Sequence, residues 1–146
     1  MKEVLKAELL AALTAALEAA RQAHASAIEG ATHAEAKAEN DKDTRGLEQS
    51  YLARGQAQRI AELGVAVAAL EALDATRLVL FTVEEDEERQ QYLLAPHGGG
   101  EVLTGGVRVV TRQSPIGVAL AGKRPGDDVE VRVGGKVRAL VVVARD

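Results

Sequence analysis

From Leu10 onward, apolar or small residues recur in alternating steps of three and four, at Leu10, Leu13, Leu17, Ala20, His24, Ala27, Ala31, Ala34 and Ala38. This spacing is the seam of a coiled coil. The rhythm returns at Ala53, Ala57, Ile60, Leu63, Val67 and Leu70, and no proline occurs before Pro96. Two long helices are therefore predicted. If they fold back on each other, facing positions share one index sum, and Leu10 with Val67, Leu17 with Ile60, and Ala20 with Ala57 all give 77. The turn then centres near Ala38 and Glu39, with Gly30 and Gly46 as points where regular helix gives way to a tip. Pairing between chains is the alternative reading. The turn-forming residues Asn40, Asp41, Asp43 and Thr44 at the end of the seam favour the intramolecular hairpin and a monomer. About 30 residues at a rise of ~1.5 Å make an arm roughly 45 Å long.

After Asp74 the period changes to two. Arg77 to Val83 and Gln91 to Ala95 read as strands joined by the acidic run "EEDEER", a solvated hairpin end. Gly106 to Thr111 reads as a third strand, and Gly134-Gly135 as the two-residue turn of a last hairpin. Between them, Ser114 is an N-cap, Pro115 occupies the first helical position, and Gly122 follows the end of a short helix. The expectation is an α+β chain, a helical hairpin over residues 1–75 with its tip near 36–43, and a small antiparallel sheet with one short helix over 76–146.

Composition narrows what these parts can do. Hydrophobic residues are 47% of the chain but aromatics only 2%, so the core is aliphatic and a deep aromatic-lined ligand pocket is not expected. The net charge is −4, with eight Lys/Arg against twelve Asp/Glu through Asp74 and ten against ten after it. An acidic N-terminal half argues against wrapping nucleic acid directly. The absence of cysteine excludes disulfides and thiolate metal sites. Glu3 and Glu8 interrupt the first apolar residues, and no apolar run reaches the ~18 residues of a membrane span, so a cytoplasmic protein with no membrane partner is expected. His24 reads as a seam residue. His97 beside Gly98 to Gly100 reads as a flexible loop, because neither the lysine nor the opening helix of a phosphate-binding loop follows.

The segment Val109 to Val143 resembles the C-terminal domain of the GreA/GreB transcript cleavage factors. Ser114, Pro115, Ala119, Leu120, Gly122, Lys123, Gly126 and Asp127 match that signature in order and spacing. Weaker matches lie at Glu48, Gln49, Tyr51 and Arg59 to Leu63. The resemblance implies an antiparallel coiled coil followed by an FKBP-like domain that binds RNA polymerase. It further implies insertion of the coiled coil into the polymerase secondary channel, where acidic tip residues help hold a second Mg²⁺ during cleavage of backtracked RNA. The factor itself would not be an enzyme, and its contact with nascent RNA would be indirect. Carboxylates suit this task because Mg²⁺ takes hard oxygen ligands and keeps several waters.

By that resemblance the tip candidates are Glu35, Glu39, Asp41 and Asp43, with a shared Mg²⁺ at Glu39, Asp41 and Asp43. The polymerase-binding candidates are Gln113, Ser114, Pro115 and Ile116. The tip departs from the cleavage motif: with Glu39 and Asn40 aligned on its Glu-Asn, Ala36 and Lys42 stand where carboxylates are expected, and Lys37 adds a further cation. A solvated turn with helix caps at Asp41, Asp43 or Thr44 is the structural alternative. Functionally, the alternative is a Gre-like or Rnk-like polymerase-binding regulator that inhibits cleavage or does not stimulate it. A prolyl isomerase, the other activity of an FKBP-like fold, is disfavoured by having only Phe81 and Tyr92 to line a pocket.

Overall fold

A computed structural model describes residues 1–37 and 44–146, with side chains described for 1–30 and 51–146. Two long helices come first, α1 (Lys2–Lys37) and α2 (Thr44–Ala72). The strands follow as β1 (Val79–Glu85), β2 (Glu88–Leu94), β3 (Val102–Leu103) and β4 (Val107–Val110), then the short helix α3 (Pro115–Leu120), β5 (Asp128–Val133) and β6 (Lys136–Arg145). The chain divides into two compact units, residues 13–68 and residues 1–12 with 69–146.

The unit of residues 13–68 is helical. Along α1 the predicted seam is the protected face: Leu13 and Leu17 are buried, and Ala20, His24 and Ala27 are half-buried. On α2 the protected positions are Ala53, Gln56, Ile60, Leu63, Ala66 and Val67. Ala57, predicted on the seam, is exposed, and Gln56 takes its place. A 3.6-residue period drifts against a strict alternation of three and four, so the protected stripe moves by one position along a straight helix. Helix also continues through Gly30 to Lys37 and begins at Thr44, before Gly46. Glycine inside a helix costs about 1 kcal/mol relative to alanine and does not by itself end it. The seam is weakly apolar toward the tip, where His24 Nδ1 and Gln56 Oε1 are buried without a partner.

The other unit holds a six-stranded sheet in the order β3-β4-β2-β1-β6-β5. Two of the three hairpins have two-residue turns, while β3 and β4 are joined through Thr104–Gly106. Asp86 and Glu87 (φ 51 and 67) close β1–β2, and Gly134 and Gly135 (φ 60 and 80) close β5–β6. Both residues of each turn are left-handed, which matches the right-handed twist of the strands. The strands of the first hairpin therefore run into the acidic run, which was read as turn alone. The sheet is mixed where an antiparallel one was expected. β2 and β4 pair in parallel, with Tyr92 opposite Arg108 and Leu94 opposite Val110, while every other pair is antiparallel. The two-residue strand β3, which has no alternation to betray it, sits outside β4.

Strand parity separates two buried faces. Phe81, Val83, Tyr92, Leu94, Val110, Val129, Leu140 and Val142 form one core with Leu120 of α3, and Ile116 and Ala119 pack on it. Leu80, Leu93 and Val109, of opposite parity, are also buried. The beginning of α1 and the end of α2 bring Leu5, Leu9 and Leu70 into this unit, all buried. The two helix ends lie side by side, Lys6 Nζ donating to Glu71 O at 3.2 Å. Residues 6 and 71 fall on the index sum of 77 predicted for the hairpin. Thr104 N donates to Glu8 Oε2 at 3.0 Å, and the Thr104 side chain together with this backbone bond holds the Glu8 carboxyl below its usual range. A Cβ on Gly98 (φ +89) would lie 2.6 Å from Leu9 Cδ1, so the glycine loop is a packing surface for α1, where a flexible loop was expected.

Leu70 is fully buried and Val65 is 63% exposed on the same helix. Leu70→Ala is expected to cost about 2–5 kcal/mol, and Val65→Ala less than about 0.5 kcal/mol, measured by denaturant unfolding.

Candidate partner-docking site

The short helix α3 is positioned by a network centred on Thr111. Ser114 Oγ donates to Thr111 O at 2.9 Å and accepts from Gly117 N at 3.1 Å, so its hydroxyl is engaged within the chain. Gln113 N donates to Thr111 Oγ1 at 3.3 Å. Pro115 opens the helix, where its missing N–H needs no partner. Gly117 is buried against the turn. A Cβ there would lie 1.7 Å from Thr111 O, so no other residue fits without moving the backbone. Gly117 stands inside the Ser-Pro segment, and the signature residues gave no sign of it; a glycine three residues after an N-cap, inside a helix, was the available clue.

The remaining signature residues also have local structural tasks. Gly122 (φ +77) turns the chain out of α3, and Lys123 N bonds back to Leu120 O. Gly126 (φ +95) lets its own N donate to Val142 O at 2.7 Å, and Asp127 O accepts from Val142 N at 2.9 Å. Asp127 Oδ2 accepts from Arg124 N at 2.8 Å. The motif thus builds the path from α3 to β5.

Of the four docking candidates, Gln113 and Pro115 are exposed, Ser114 is the half-buried cap, and Ile116 is half-buried on the core. Gln113 lines one concavity and Ile116 another. One, of about 420 Å³, is mostly apolar and is lined by Leu73, Val79, Leu94, Pro96 and Gln113, with Arg77 and Arg112. The other, of about 320 Å³, is polar, and Tyr92, Arg108, Ile116 and Arg138 line it.

Arg138 and Glu85 form the strongest charged contact of the second concavity. Arg138 Nη2 reaches Glu85 Oε1 at 2.6 Å and Nε reaches Oε2 at 2.9 Å, with Tyr92 Oη also accepting at 3.4 Å. These bonds hold the Glu85 carboxyl below its ordinary range and push the Arg138 guanidinium up. Glu85, in the run that the sequence predicts as a solvated turn, is paired instead because β6 brings Arg138 beside it. Phe81, fully buried in the core, lines neither concavity.

Among the tip candidates, Glu35 belongs to α1 with its side chain outside the described residues, and Glu39, Asp41 and Asp43 lie outside them altogether. Among the described residues, no group of three or more His, Asp or Glu could hold a metal ion. No described helix is long and apolar enough to cross a membrane.

Gly117→Ala is expected to lower the melting temperature strongly, whereas Ala at the exposed Val118 is expected to leave it nearly unchanged. For the ion pair, the folded Glu85 is depressed, so its contribution is complete above the unfolded carboxyl pKa and fades as pH falls through the folded one. Arg138→Met is expected to cost about 1 kcal/mol at pH 7 and progressively less toward pH 3, read from unfolding curves across that range.

No family model and no curated protein matches the chain. Among solved structures, the GreA factor homolog 1 (Gfh1) protein of Thermus thermophilus is 20% identical, with 94% of each chain covered and a TM-score of 0.39. Thermus aquaticus Gfh1 is 22% identical, over 91% of this chain and 90% of that one, with a TM-score of 0.40. A further structure of the transcription factor Gfh1 is 21% identical, over 94% and 93%, with a TM-score of 0.37. Over nearly its whole length, the chain is similar to these GreA-like proteins.

Proposed function

We propose that this protein is a GreA/GreB-like factor that binds RNA polymerase and reaches into its secondary channel to modulate cleavage of backtracked RNA. The observation that carries the reading is the Val109–Val143 segment with its Ser114–Asp127 signature, folded as strand, capped helix and hairpin on the same chain as two helices of 36 and 29 residues. The C-terminal unit is read as FKBP-like and the helices as an antiparallel coiled coil. Residues 13–37 of the first helix, outside the globular unit, span roughly 38 Å at ~1.5 Å per residue. The protein acts as an accessory factor in the cytoplasm; the polymerase supplies the catalytic centre.

The donor chemistry of the tip fits a hard cation in part. Glu39, Asp41 and Asp43 offer carboxylate oxygens, with Glu35 as a further donor, and Lys37 and Lys42 oppose a cation among them. Glu39, Asp41 and Asp43 would hold Mg²⁺ jointly with the polymerase, and the ion would lend an activated water to phosphodiester hydrolysis. This chain's part is to deliver oxygens to that ion at the end of a stiff arm. Ala36 and Lys42 favour a second reading, a factor that enters the channel and does not stimulate cleavage.

A transcript-cleavage assay on stalled elongation complexes separates the two. Stimulation by the wild type, lost at least tenfold in one or more of Glu39→Ala, Asp41→Ala and Asp43→Ala, is the expected result. Slower intrinsic cleavage with the wild type supports the second reading, and no association with core polymerase overturns both.

A further inference from the structure

The larger concavity beside Gln113 differs in kind from the polar one. Its walls are apolar, from Leu73, Val79, Leu94 and Pro96, and its charged lining consists of Arg77 and Arg112, with no carboxylate among the lining residues. Both arginines are exposed. Asp74 lies three residues before Arg77, and bonds from Thr76, with the Lys6 and Arg77 charges adding to them, hold its carboxyl below the usual range. It accepts from Thr76 N and Oγ1, both at 2.9 Å, and lines a separate concavity with Lys6. Two guanidinium groups beside an apolar slot therefore stand without a lining counter-charge.

We infer that this groove is a docking slot for an acidic protein segment, one apolar side chain seated between Arg77 and Arg112 and flanked by Asp or Glu. The inference rests on the polymerase-binding reading above and names the chemistry of the partner's contact. Charge complementarity selects the flanking residues: guanidinium forks bind carboxylates in bidentate fashion and steer the encounter. The slot selects the apolar residue, since a single buried side chain at the centre of a polar rim is the usual anchor of a small interface. A nucleic-acid backbone fits less well. It needs a row of cations and leaves an apolar wall without a partner, and the chain as a whole is acidic at −4. Gln113 lines the same groove, so the slot adjoins the Ser-Pro turn without using the engaged Ser114 hydroxyl.

The test uses the full chain and core RNA polymerase. The double variant Arg77→Glu/Arg112→Glu is expected to bind at least tenfold more weakly, with a shallower dependence on salt. A control, Arg132→Glu on the exposed face of β5, is expected to bind as the wild type does. Circular dichroism melting checks that each variant is folded. A photo-crosslinking residue at position 113 then identifies the occupant, expected to be a polymerase segment with an apolar residue flanked by Asp or Glu. Wild-type binding with an undiminished double variant overturns the groove and leaves the polymerase reading standing. Crosslinks to RNA, to a second copy of this chain, or to a segment without acidic residues also overturn it. No binding by the wild type overturns both.

Discussion

The central strands of this sheet are apolar on both sides, so the fold depends on covering two faces at once. Phe81, Val83 and Tyr92 need a cover on one side, and Leu80, Leu93 and Val109 need one on the other. The six-residue helix α3 serves the first face through Leu120 and Ile116. It is too short to hold itself together, since isolated helices below about 12 residues are marginal in water. Its place is fixed from outside, by the Ser114 bonds and by the approach of Gly117 to Thr111 O. The globular unit also includes the beginning of α1 and the end of α2, which contribute Leu5, Leu9 and Leu70.

One turn carries both the capping network of α3 and part of the apolar groove. Thr111 O anchors the cap of α3, and residues 111–113 line the apolar groove. A signature that reads as a partner motif is, residue by residue, also the set of groups that closes this turn and the following path to β5. Small residues at Gly117 and positive φ at Gly122 and Gly126 leave little freedom for substitution. What remains free to meet a partner is the rim around the turn, at Arg77, Arg112, Gln113 and Pro115, all exposed.

Much of the fold was legible because it rests on local chemistry. Pro115 and the Ser114 cap marked α3, and Gly134-Gly135 marked the last hairpin. The seam from Leu13 to Ala27 followed from spacing alone. The misread elements depend on partners distant in sequence. The direction of β4 relative to β2 is not encoded in the alternation of either strand, since a strand's period is the same beside parallel and antiparallel neighbours. Glu85 reads as solvated until Arg138, 53 residues away, is placed beside it. Leu9 and Gly98 have no reason to be associated in the sequence, yet the glycine leaves the space that Leu9 fills.

By itself the sequence determined the two long helices, the short helix α3 and every strand except β3, though not all of their ends, together with the hairpin register that brings Lys6 to Glu71 and the acidic composition of the segment between the helices. These follow from periodicity, turn residues and charge, which act over a few positions or by simple symmetry. Only the tertiary structure decided the strand order, the second buried face and the two concavities that Gln113 and Ile116 line. A groove such as that between Leu73, Leu94 and Arg112 is made by segments brought together in packing, and no single segment carries its shape.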